Sequence, residues 1–214
     1  MLVGEVMTKS LITIKKTDTL TTAHNLLVKN IIRHLPVVNG SQLIGIITES
    51  DIRGAFIKKG KGPKAKKVVT VDSDKMKVED YMTQKLMVVN PDTCIEDAAL
   101  LIYRNKIGAL PVMKDDKLVG LISIMDILGL FVDMMGIIHS SSRIDVVMSK
   151  ASKNFDAVSN IFHKHNVNII SVAMAPYPKD TKKQIYYFRL DLCETKTLVK
   201  EIEKAGFKVL TALE

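Results

Sequence analysis

The strongest constraint on the fold is an internal repeat, in which residues 3–56 match residues 78–131 without a gap. Leu35-Pro36-Val37, for example, aligns with Leu110-Pro111-Val112, and about a third of all aligned positions are identical. Such self-similarity indicates two structurally equivalent units. A unit of roughly fifty residues exposes too much apolar strand surface to be stable alone. We therefore expect the two copies to pack face to face.

Each copy is predicted to form a β-α-β-β-α unit. In the second copy, β-branched and apolar runs predict strands over 87–89, 110–113 and 118–123. A capping box of Thr93 and Glu96 is predicted to begin a helix that ends near Asn105. A second helix is predicted over about 125–131, and the first copy is expected to repeat this order, with its hairpin turn at Asn39-Gly40.

The third strand of each copy ends in the same pattern of a glycine, a hydroxyl and, three residues after the hydroxyl, a carboxylate: Gly45, Thr48 and Asp51 in the first copy, and Gly120, Ser123 and Asp126 in the second. Thr/Ser-x-x-Asp is a helix-capping pattern, which needs no ligand. The same groups also suit a nucleotide, because N–H groups at a helix start attract phosphate and a carboxylate can accept from both hydroxyls of a ribose. Recurrence in both copies favours the nucleotide interpretation.

These features together make residues 3–131 resemble a tandem pair of CBS domains, also called a Bateman module. The resemblance implies a pseudo-twofold pair whose central cleft offers two ligand sites, typically for AMP, ADP, ATP or S-adenosylmethionine. It also implies that Thr48 and Ser123 face the phosphates, while Asp51 and Asp126 hold the ribose. We expect AMP, ADP or ATP here, with S-adenosylmethionine or NAD less favoured.

The same resemblance implies which residues bracket the adenine, namely Ile12, Ile14, Leu35 and Pro36 in one site and Met87, Val89, Leu110 and Pro111 in the other. Arg33 and His34 stand where family members often place phosphate-binding cations. Their equivalents Gly108 and Ala109 carry no charge. We therefore expect unequal sites, although a surface Arg–His pair at a helix end would leave the same sequence.

Beyond Ser140-Ser141-Ser142, which is predicted as a polar break, the pattern predicts a β-α-β-β-α-β order of ferredoxin-like type. Strands are expected over 143–148, 167–173, 184–190 and 207–213, helices over 155–165 and 196–205, and a hairpin loop over 174–183. Asn166–Ile169 and Ala205-Gly206-Phe207 make this region resemble an ACT domain. Lys153 stands where the ligand-binding glycine of that family is expected, so side-by-side sheet pairing into a dimer is favoured over amino-acid binding.

The expected fold class is therefore α/β (α+β), with CBS repeats over 1–57 and 78–135, a linker over 58–77 and an ACT-like domain over 140–214. This arrangement resembles the AcuB family of acetoin-utilisation proteins. The resemblance implies a regulatory nucleotide sensor, not an enzyme, that signals through a homodimer or an unknown partner.

The composition agrees with a globular protein, with 47% hydrophobic and 25% charged residues among 214. We expect a cytoplasmic location, because two distant cysteines suit a reducing compartment and no signal peptide precedes the repeat. The apolar run 118–138 is interpreted as a buried strand and helix, not as a membrane span. No histidine spacing predicts a metal site.

The net charge of +8 is local, because six lysines lie between Lys58 and Lys67. This run could be a solvated linker, could supply cations to a polyphosphate ligand, or could bind a nucleic-acid backbone. The last possibility gives an alternative function, that of a nucleic-acid-associated or scaffold protein without a small ligand.

Deleting residues 58–67 distinguishes these functions. The deletion should abolish RNA or DNA binding if the lysines contact phosphates, since that affinity depends on counterion release. It should leave most adenosine-nucleotide binding unchanged if the ligand lies between the copies. Filter binding of nucleic acid and calorimetric titration of nucleotide, on the full chain and the deletion, measure the two effects.

Overall fold

The computed structural model of the chain describes residues 1–56 and 75–214. They form two compact units, Met1–Ile127 and Leu128–Glu214. The lysine run over 58–67 and most of the linker expected over 58–77 lie outside the described residues, so the interpretations of that run stay predictions. The architecture is a mixed α/β fold, in agreement with the sequence.

The first copy of the repeat forms a small sheet covered by helices. Its elements are α1 (Val3–Val6), β1 (Ile14–Lys15), α2 (Leu20–Asn30), β2 (His34–Asn39), β3 (Gln42–Thr48) and α3 (Glu49–Phe56). The sheet order is β1-β2-β3, with β1 parallel and β3 antiparallel to β2. The expected hairpin turn at Asn39-Gly40 is confirmed, and Gly40 adopts the left-handed φ of 61° that favours glycine.

The second copy repeats this order with a shorter sheet. Its elements are a 3₁₀ turn (Val78–Asp80), α4 (Ile95–Asn105), β4 (Ala109–Lys114), β5 (Lys117–Ser123) and α5 (Ile124–Met134). The strand predicted over 87–89 is wrong, because only Val89 pairs with the sheet, through a bridge to Val112. Met87 and Val88 are exposed, and neither pairs with the sheet.

The capping box predicted for α4 is also wrong. The helix begins at Ile95 after Cys94, and no side chain caps it. Thr93 Oγ1 instead accepts a hydrogen bond from the N–H of Asn90 (3.2 Å) and donates to Asn90 Oδ1 (3.3 Å). The hydroxyl is therefore used inside the preceding turn, where an asparagine side chain competes for it.

The two copies exchange their N-terminal segments. Thr8 of the first copy exchanges two backbone hydrogen bonds with Leu121 of the second (2.9 and 3.0 Å). The equivalent Thr83 of the second copy exchanges two with Ile46 of the first (3.0 and 2.9 Å). The third strand of each copy therefore pairs on its outer side with a segment from the other copy. A complete sheet thus contains residues of both sequence repeats.

The segments before these residues follow the same exchange. The N–H of Val3 donates to Thr93 of the second copy (2.9 Å), and the N–H of the equivalent Val78 donates to Asp18 of the first (2.9 Å). Met76 and Val78 are buried in the hydrophobic core of the first copy, which they share with Ile14, Leu20, Ala23, Leu27, Leu35, Val37, Ile47, Ile52 and Ala55. The two copies therefore do more than contact each other, because the N-terminal segment of each copy packs on the other copy.

The apolar run 118–138 is only half buried. β5 contributes buried Ile122, but α5 contains no fully buried residue. The expectation that this helix belongs to the core is wrong, because its outer side is apolar without being covered. Among the described residues, no helix has the length and apolar character required to cross a membrane.

The second unit forms a four-stranded antiparallel sheet packed on two helices. Its elements are β6 (Ser141–Ser149), α6 (Ser152–Lys164), β7 (Ile169–Pro176), β8 (Lys183–Asp191), α7 (Thr195–Lys204) and β9 (Lys208–Leu213). The sheet order is β7-β8-β6-β9, so the first and third strands of this unit lie at the centre. The core includes Phe162 and Phe188, whose rings meet edge to face with centroids 5.1 Å apart.

Two details of this unit differ from the sequence prediction. The hairpin loop expected over 174–183 is shorter, because β7 continues to Pro176, which pairs with Gln184. The expected polar break at 140–142 is partly strand. Ser142 is buried, and its hydroxyl donates to the carbonyl of Cys193 and accepts from the N–H of Cys193, each at 2.9 Å.

The exchange predicts opposite effects for two glycine substitutions in the first copy. Gly45→Ala should lower the free energy of unfolding by about 1–3 kcal/mol, because the added Cβ would lie 2.7 Å from Met82 Sδ and 3.1 Å from the Thr83 carbonyl. Gly54→Ala should raise it by roughly 0.5–1 kcal/mol, since this α3 glycine has open space around it. Urea unfolding measures both, and equal stability of the two variants would contradict the exchanged packing.

Candidate functional site

The end of β3 holds Thr48 and Asp51 in a reciprocal cap of α3. Thr48 donates twice to Asp51 Oδ2, from its N–H (2.9 Å) and from its hydroxyl (2.7 Å). The N–H of Asp51 donates back to Thr48 Oγ1 (3.2 Å). The capping interpretation of this pattern is therefore present in the structure, and it fixes both side chains at the helix start.

The end of β5 repeats this geometry in the second copy. Ser123 donates to Asp126 Oδ2 from its N–H (2.8 Å) and its hydroxyl (2.7 Å), and the N–H of Asp126 donates to Ser123 Oγ (3.3 Å). All three distances agree with those of the first copy to within 0.1 Å. The repeat is thus conserved in detail at the strand ends that the sequence singled out.

The cap leaves one oxygen of each carboxylate available. Within the described chain, Oδ1 of Asp51 and Oδ1 of Asp126 take part in no hydrogen bond, and neither is a buried atom without a partner. The hydroxyls of Thr48 and Ser123, in contrast, already donate to their own aspartates. A phosphate would have to replace that bond to receive their protons, whereas a donor such as a ribose hydroxyl could reach Oδ1 directly.

His34 connects this strand end to the other copy. It pairs with Thr48 in the sheet, and its imidazole lies against Gly108 of the second copy. An alanine Cβ at Gly108 would overlap the ring, with His34 Cε1 only 2.8 Å away. Gly108 is the repeat equivalent of Arg33, so the missing side chain in one copy provides the space that the histidine of the other copy occupies.

The surroundings of His34 favour its neutral form. Burial lowers the pKa of His34 below its ordinary value of 6.5, and the nearby positive charge of Arg33 lowers it further. Asp51 and Asp126 act in the opposite direction and raise it, with a smaller effect. The imidazole therefore responds to the carboxylates of both copies, one from each strand end.

Arg33 is exposed. Its carbonyl accepts from the N–H of Glu49 (3.2 Å), and it lines an open groove of about 280 Å³ together with His24, Leu27, Ile32 and Glu49. This groove lies between the end of α2 and the start of α3. The structure therefore separates the predicted Arg33–His34 pair into an exposed cation beside this groove and a half-buried imidazole that faces the other copy.

The predicted adenine-bracketing residues divide by burial. Ile12 is half-buried and Met87 exposed, whereas the other six are buried: Ile14, Leu35, Pro36, Val89, Leu110 and Pro111. Leu35 and Leu110 have no exposed surface. Pairing of Ile14 with Val37, and of Val89 with Val112, brings these segments together in each copy. Because these six side chains are buried within each copy, a ligand could contact them only if they became more exposed than they are here.

The contact of His34 with Gly108 was not predicted from the amino-acid sequence. A glycine in one copy aligned with a cation in the other was the available signal, but their proximity depends on how the copies pack. In the described part of the chain, no three histidine, cysteine, aspartate or glutamate side chains are grouped as a metal site would require.

Known proteins resemble the first unit. The model of the CBS domain family matches residues 3–58 and 78–133. Inosine-5′-monophosphate dehydrogenase of Methanocaldococcus jannaschii is 32% identical over 126 residues, which cover 58% of this chain and 22% of that enzyme. The chain spans less than half the length of the first curated relatives that it matches.

Two solved structures extend the likeness. The CBS domain pair of protein MJ0100, in complex with 5′-methylthioadenosine and S-adenosyl-L-methionine, has 28% identity and a TM-score of 0.52, covering 61% of this chain and 95% of that one. A Vibrio cholerae protein assigned to acetoin utilization (AcuB) has 25% identity and a TM-score of 0.54, covering 64% and 94%.

The lowered pKa of His34 predicts a pH dependence of stability. Below about pH 6.5 the unfolded chain binds a proton that the folded chain takes up only at lower pH, so the free energy of unfolding should fall as the pH falls. His34→Gln should remove part of this slope, and His24→Gln, at an exposed position of α2, serves as the control. Urea unfolding across this pH range measures the slopes. An unchanged slope in His34→Gln would contradict the assignment.

Proposed function

Because the chain belongs to the CBS domain family, we propose that its first unit binds an adenosine-containing ligand and acts as a regulatory sensor. The observation that carries this proposal is the duplicated strand end, where each copy presents a fixed carboxylate with a free Oδ1 beside a helix start. A carboxylate oxygen held in this way can accept from ribose hydroxyls, and the adjacent backbone N–H groups favour an anion. The same two groups recur in each copy.

The bound complex of MJ0100 with 5′-methylthioadenosine and S-adenosyl-L-methionine supports the adenosine part of the proposal. The phosphate part rests on this chain's own cations. Arg33 and His34 belong to the first copy, and Gly108 and Ala109 offer no charge at the equivalent positions. We propose AMP, ADP or ATP as the ligand, with stronger phosphate binding on the side of the first copy.

His34 gives this site a specific electrostatic property. In the absence of ligand its neutral form is favoured, so the imidazole acts as a hydrogen-bonding group and not as a fixed cation. A phosphate placed nearby would favour the charged form, since an opposite charge raises the pKa of a histidine. Binding of a phosphate-bearing nucleotide would then be accompanied by proton uptake, whereas adenosine would lack this effect.

Regulation requires that the ligand prefer one arrangement of the copies over another. Ile46 and Leu121, which hold the exchanged segments, each lie two residues before the hydroxyl of a proposed site. A ligand that fixes one strand end therefore acts on a strand whose neighbour is supplied by the other copy. Through this strand pairing, ligand binding at one strand end can change the position of one copy relative to the other.

The second unit fits an ACT-type domain in its β-α-β-β-α-β order and its sheet order. Lys153 lies in the first turn of α6, where that family's ligand loop would need a glycine, so we propose a role in dimer formation and not in amino-acid binding. AcuB-family membership and a link to acetoin utilisation rest on the likeness to the Vibrio cholerae protein. We place this regulator, which is not an enzyme, in the cytoplasm.

Thermal unfolding of the full chain with AMP, ADP, ATP, S-adenosylmethionine and NAD tests the proposal. A ligand at a hundred times its Kd adds about 2.7 kcal/mol to the stability of the folded state, which should raise the Tm by several degrees. We expect this rise for an adenosine nucleotide, and the rise should be lost in Asp51→Asn/Asp126→Asn. No rise for any ligand would overturn the proposal.

The asparagine substitutions are chosen because the carboxylates also cap helices. Asp51→Ala/Asp126→Ala should lower the Tm without ligand, because each substitution removes the carboxylate half of a capping box while the hydroxyl half remains. Asparagine keeps an acceptor for the cap and replaces the free oxygen by a donor.

Arg33→Glu should weaken the binding of nucleotides that carry phosphates more than the binding of adenosine. Equal weakening of both would contradict the proposed phosphate contact.

A further inference from the structure

One imidazole lies beside the helix starts of both copies. The carbonyl of Arg33, the residue before His34, accepts a hydrogen bond from the N–H of Glu49 at the start of α3 (3.2 Å). The carbonyl of Gly108 accepts the equivalent bond from the N–H of Ile124 at the start of α5 (3.0 Å). The ring of His34 lies against Gly108. His34 therefore follows the residue that holds one helix start and contacts the residue that holds the other.

The repeat supplies no second imidazole at this place. Ala109 stands at the position equivalent to His34. It pairs with Ser123 in its sheet, as His34 pairs with Thr48. The side chain of Ala109 is a single methyl group, and the residue is buried. The two strand ends thus have the same cap, while one imidazole stands where exact symmetry would place two.

The carboxylates of both copies act on this ring. Burial and then the charge of Arg33 lower the pKa of His34, while Asp51 of the first copy and Asp126 of the second act in the opposite direction. Because the interaction of two charges falls with distance, both carboxylates lie near enough to the ring to affect it. Among the residues that the structure describes, none forms a hydrogen bond with the ring nitrogens of His34. These nitrogens are therefore available to a ligand.

We propose that the two ligand sites share His34, so that a phosphate-bearing nucleotide in one site lowers the affinity of the other site for a second one. This inference rests on the proposed function and specifies how its two sites are connected. A phosphate favours the charged imidazole and forms a charge-assisted hydrogen bond with it. One positive charge compensates the first phosphate, and a second phosphate would add negative charge beside it. Adenosine carries no phosphate, so its two sites should bind independently.

Sharing differs from a mere inequality of the two sites. Independent but unequal sites would also give two Kd values for AMP, since Arg33 belongs to the first copy alone. Independent sites keep their affinities whichever of them is filled, whereas coupled sites do not. When the first-copy site is empty, a shared His34 is available to the second-copy site, whose affinity for AMP should then rise.

Calorimetric titration of AMP into the full chain and into its Asp51→Asn variant measures this rise. The substitution removes the proposed ribose acceptor of the first copy, so AMP should bind only in the second copy. We expect the remaining site to bind AMP about tenfold more tightly than the unaltered chain binds its second AMP, because the charge-assisted bond is regained. Adenosine should show no such rise. An unchanged Kd for AMP would overturn the proposal.

His34→Gln provides the background in which the rise should largely disappear. Glutamine keeps a hydrogen-bonding side chain but cannot become charged. Asp51→Asn also removes a negative charge, which by itself favours an anion. Comparison of Asp51→Asn/His34→Gln with His34→Gln measures this second effect alone. An equal rise in both backgrounds would overturn the proposal, and His24→Gln, at an exposed position of α2, should behave as the unaltered chain.

The imidazole itself gives a second measurement, through the NMR signals of isotopically labelled ring nitrogens. In Asp51→Asn, AMP bound in the second copy should shift the His34 signals toward those of the charged form, although His34 belongs to the first copy. The His34→Gln variant identifies these signals. A ring that responds to AMP in Asp126→Asn but not in Asp51→Asn would belong to one site alone, and this result would overturn the proposal.

Gly108→Ala tests the contact on which sharing depends. The added Cβ would overlap His34 Nε2 and lie 2.8 Å from Cε1, so the ring must move away from the second copy. The rise in AMP affinity caused by Asp51→Asn should then be lost. Gly54→Ala, which has open space around its Cβ, is the matched control and should retain the rise. A full rise in the Gly108→Ala background would overturn the proposal.

Failure of this inference is distinguishable from failure of the proposed function. Circular dichroism and the Tm of each variant without ligand show whether the fold is retained. Two AMP molecules that bind independently would overturn the sharing of His34 and leave the adenosine sensor supported. Absence of binding for every adenosine ligand would overturn both.

Discussion

Each copy of the repeat is completed by backbone hydrogen bonds from the other copy. Thr8 pairs with Leu121 and Thr83 with Ile46, so that neither third strand has its full set of partners within its own copy. Unpaired backbone groups at a sheet edge are unfavourable when they are removed from water. The exchange therefore makes the sheet of each copy depend on the other copy, and it ties the N-terminal eight residues to a sheet more than one hundred residues away in sequence.

This exchange also determines how the two proposed ligand sites relate to each other. The strands that receive the exchanged segments are those that end at Thr48 and Ser123. The caps at these ends have nearly equal geometry, so the pseudo-symmetry is kept at both strand ends. Symmetry at the caps thus coexists with differences elsewhere in the same unit.

The differences between the copies lie at the contacts that each copy makes with its surroundings. His34 of the first copy lies against Gly108 of the second, where an added Cβ would overlap the imidazole ring. On the outside, α4 and α5 carry apolar residues where α2 and α3 carry mostly polar ones. The two copies therefore share one fold but differ in the side chains that they place at their contact and on their outer helices.

The sequence by itself determined the repeat, the two strand-end caps and most of the order of elements in both units, because these depend on local hydrogen bonds and on apolar periodicity. The strand expected over 87–89 was the exception, since only Val89 pairs with the sheet. The sequence did not determine the exchange, the uncovered face of α5 or the position of His34 against Gly108. The predicted capping box at Thr93 was also wrong, because the Thr93 hydroxyl forms hydrogen bonds with Asn90 and does not cap α4. Only the tertiary structure decided these features, since they depend on which distant segments meet, and neither spacing nor residue type records that proximity.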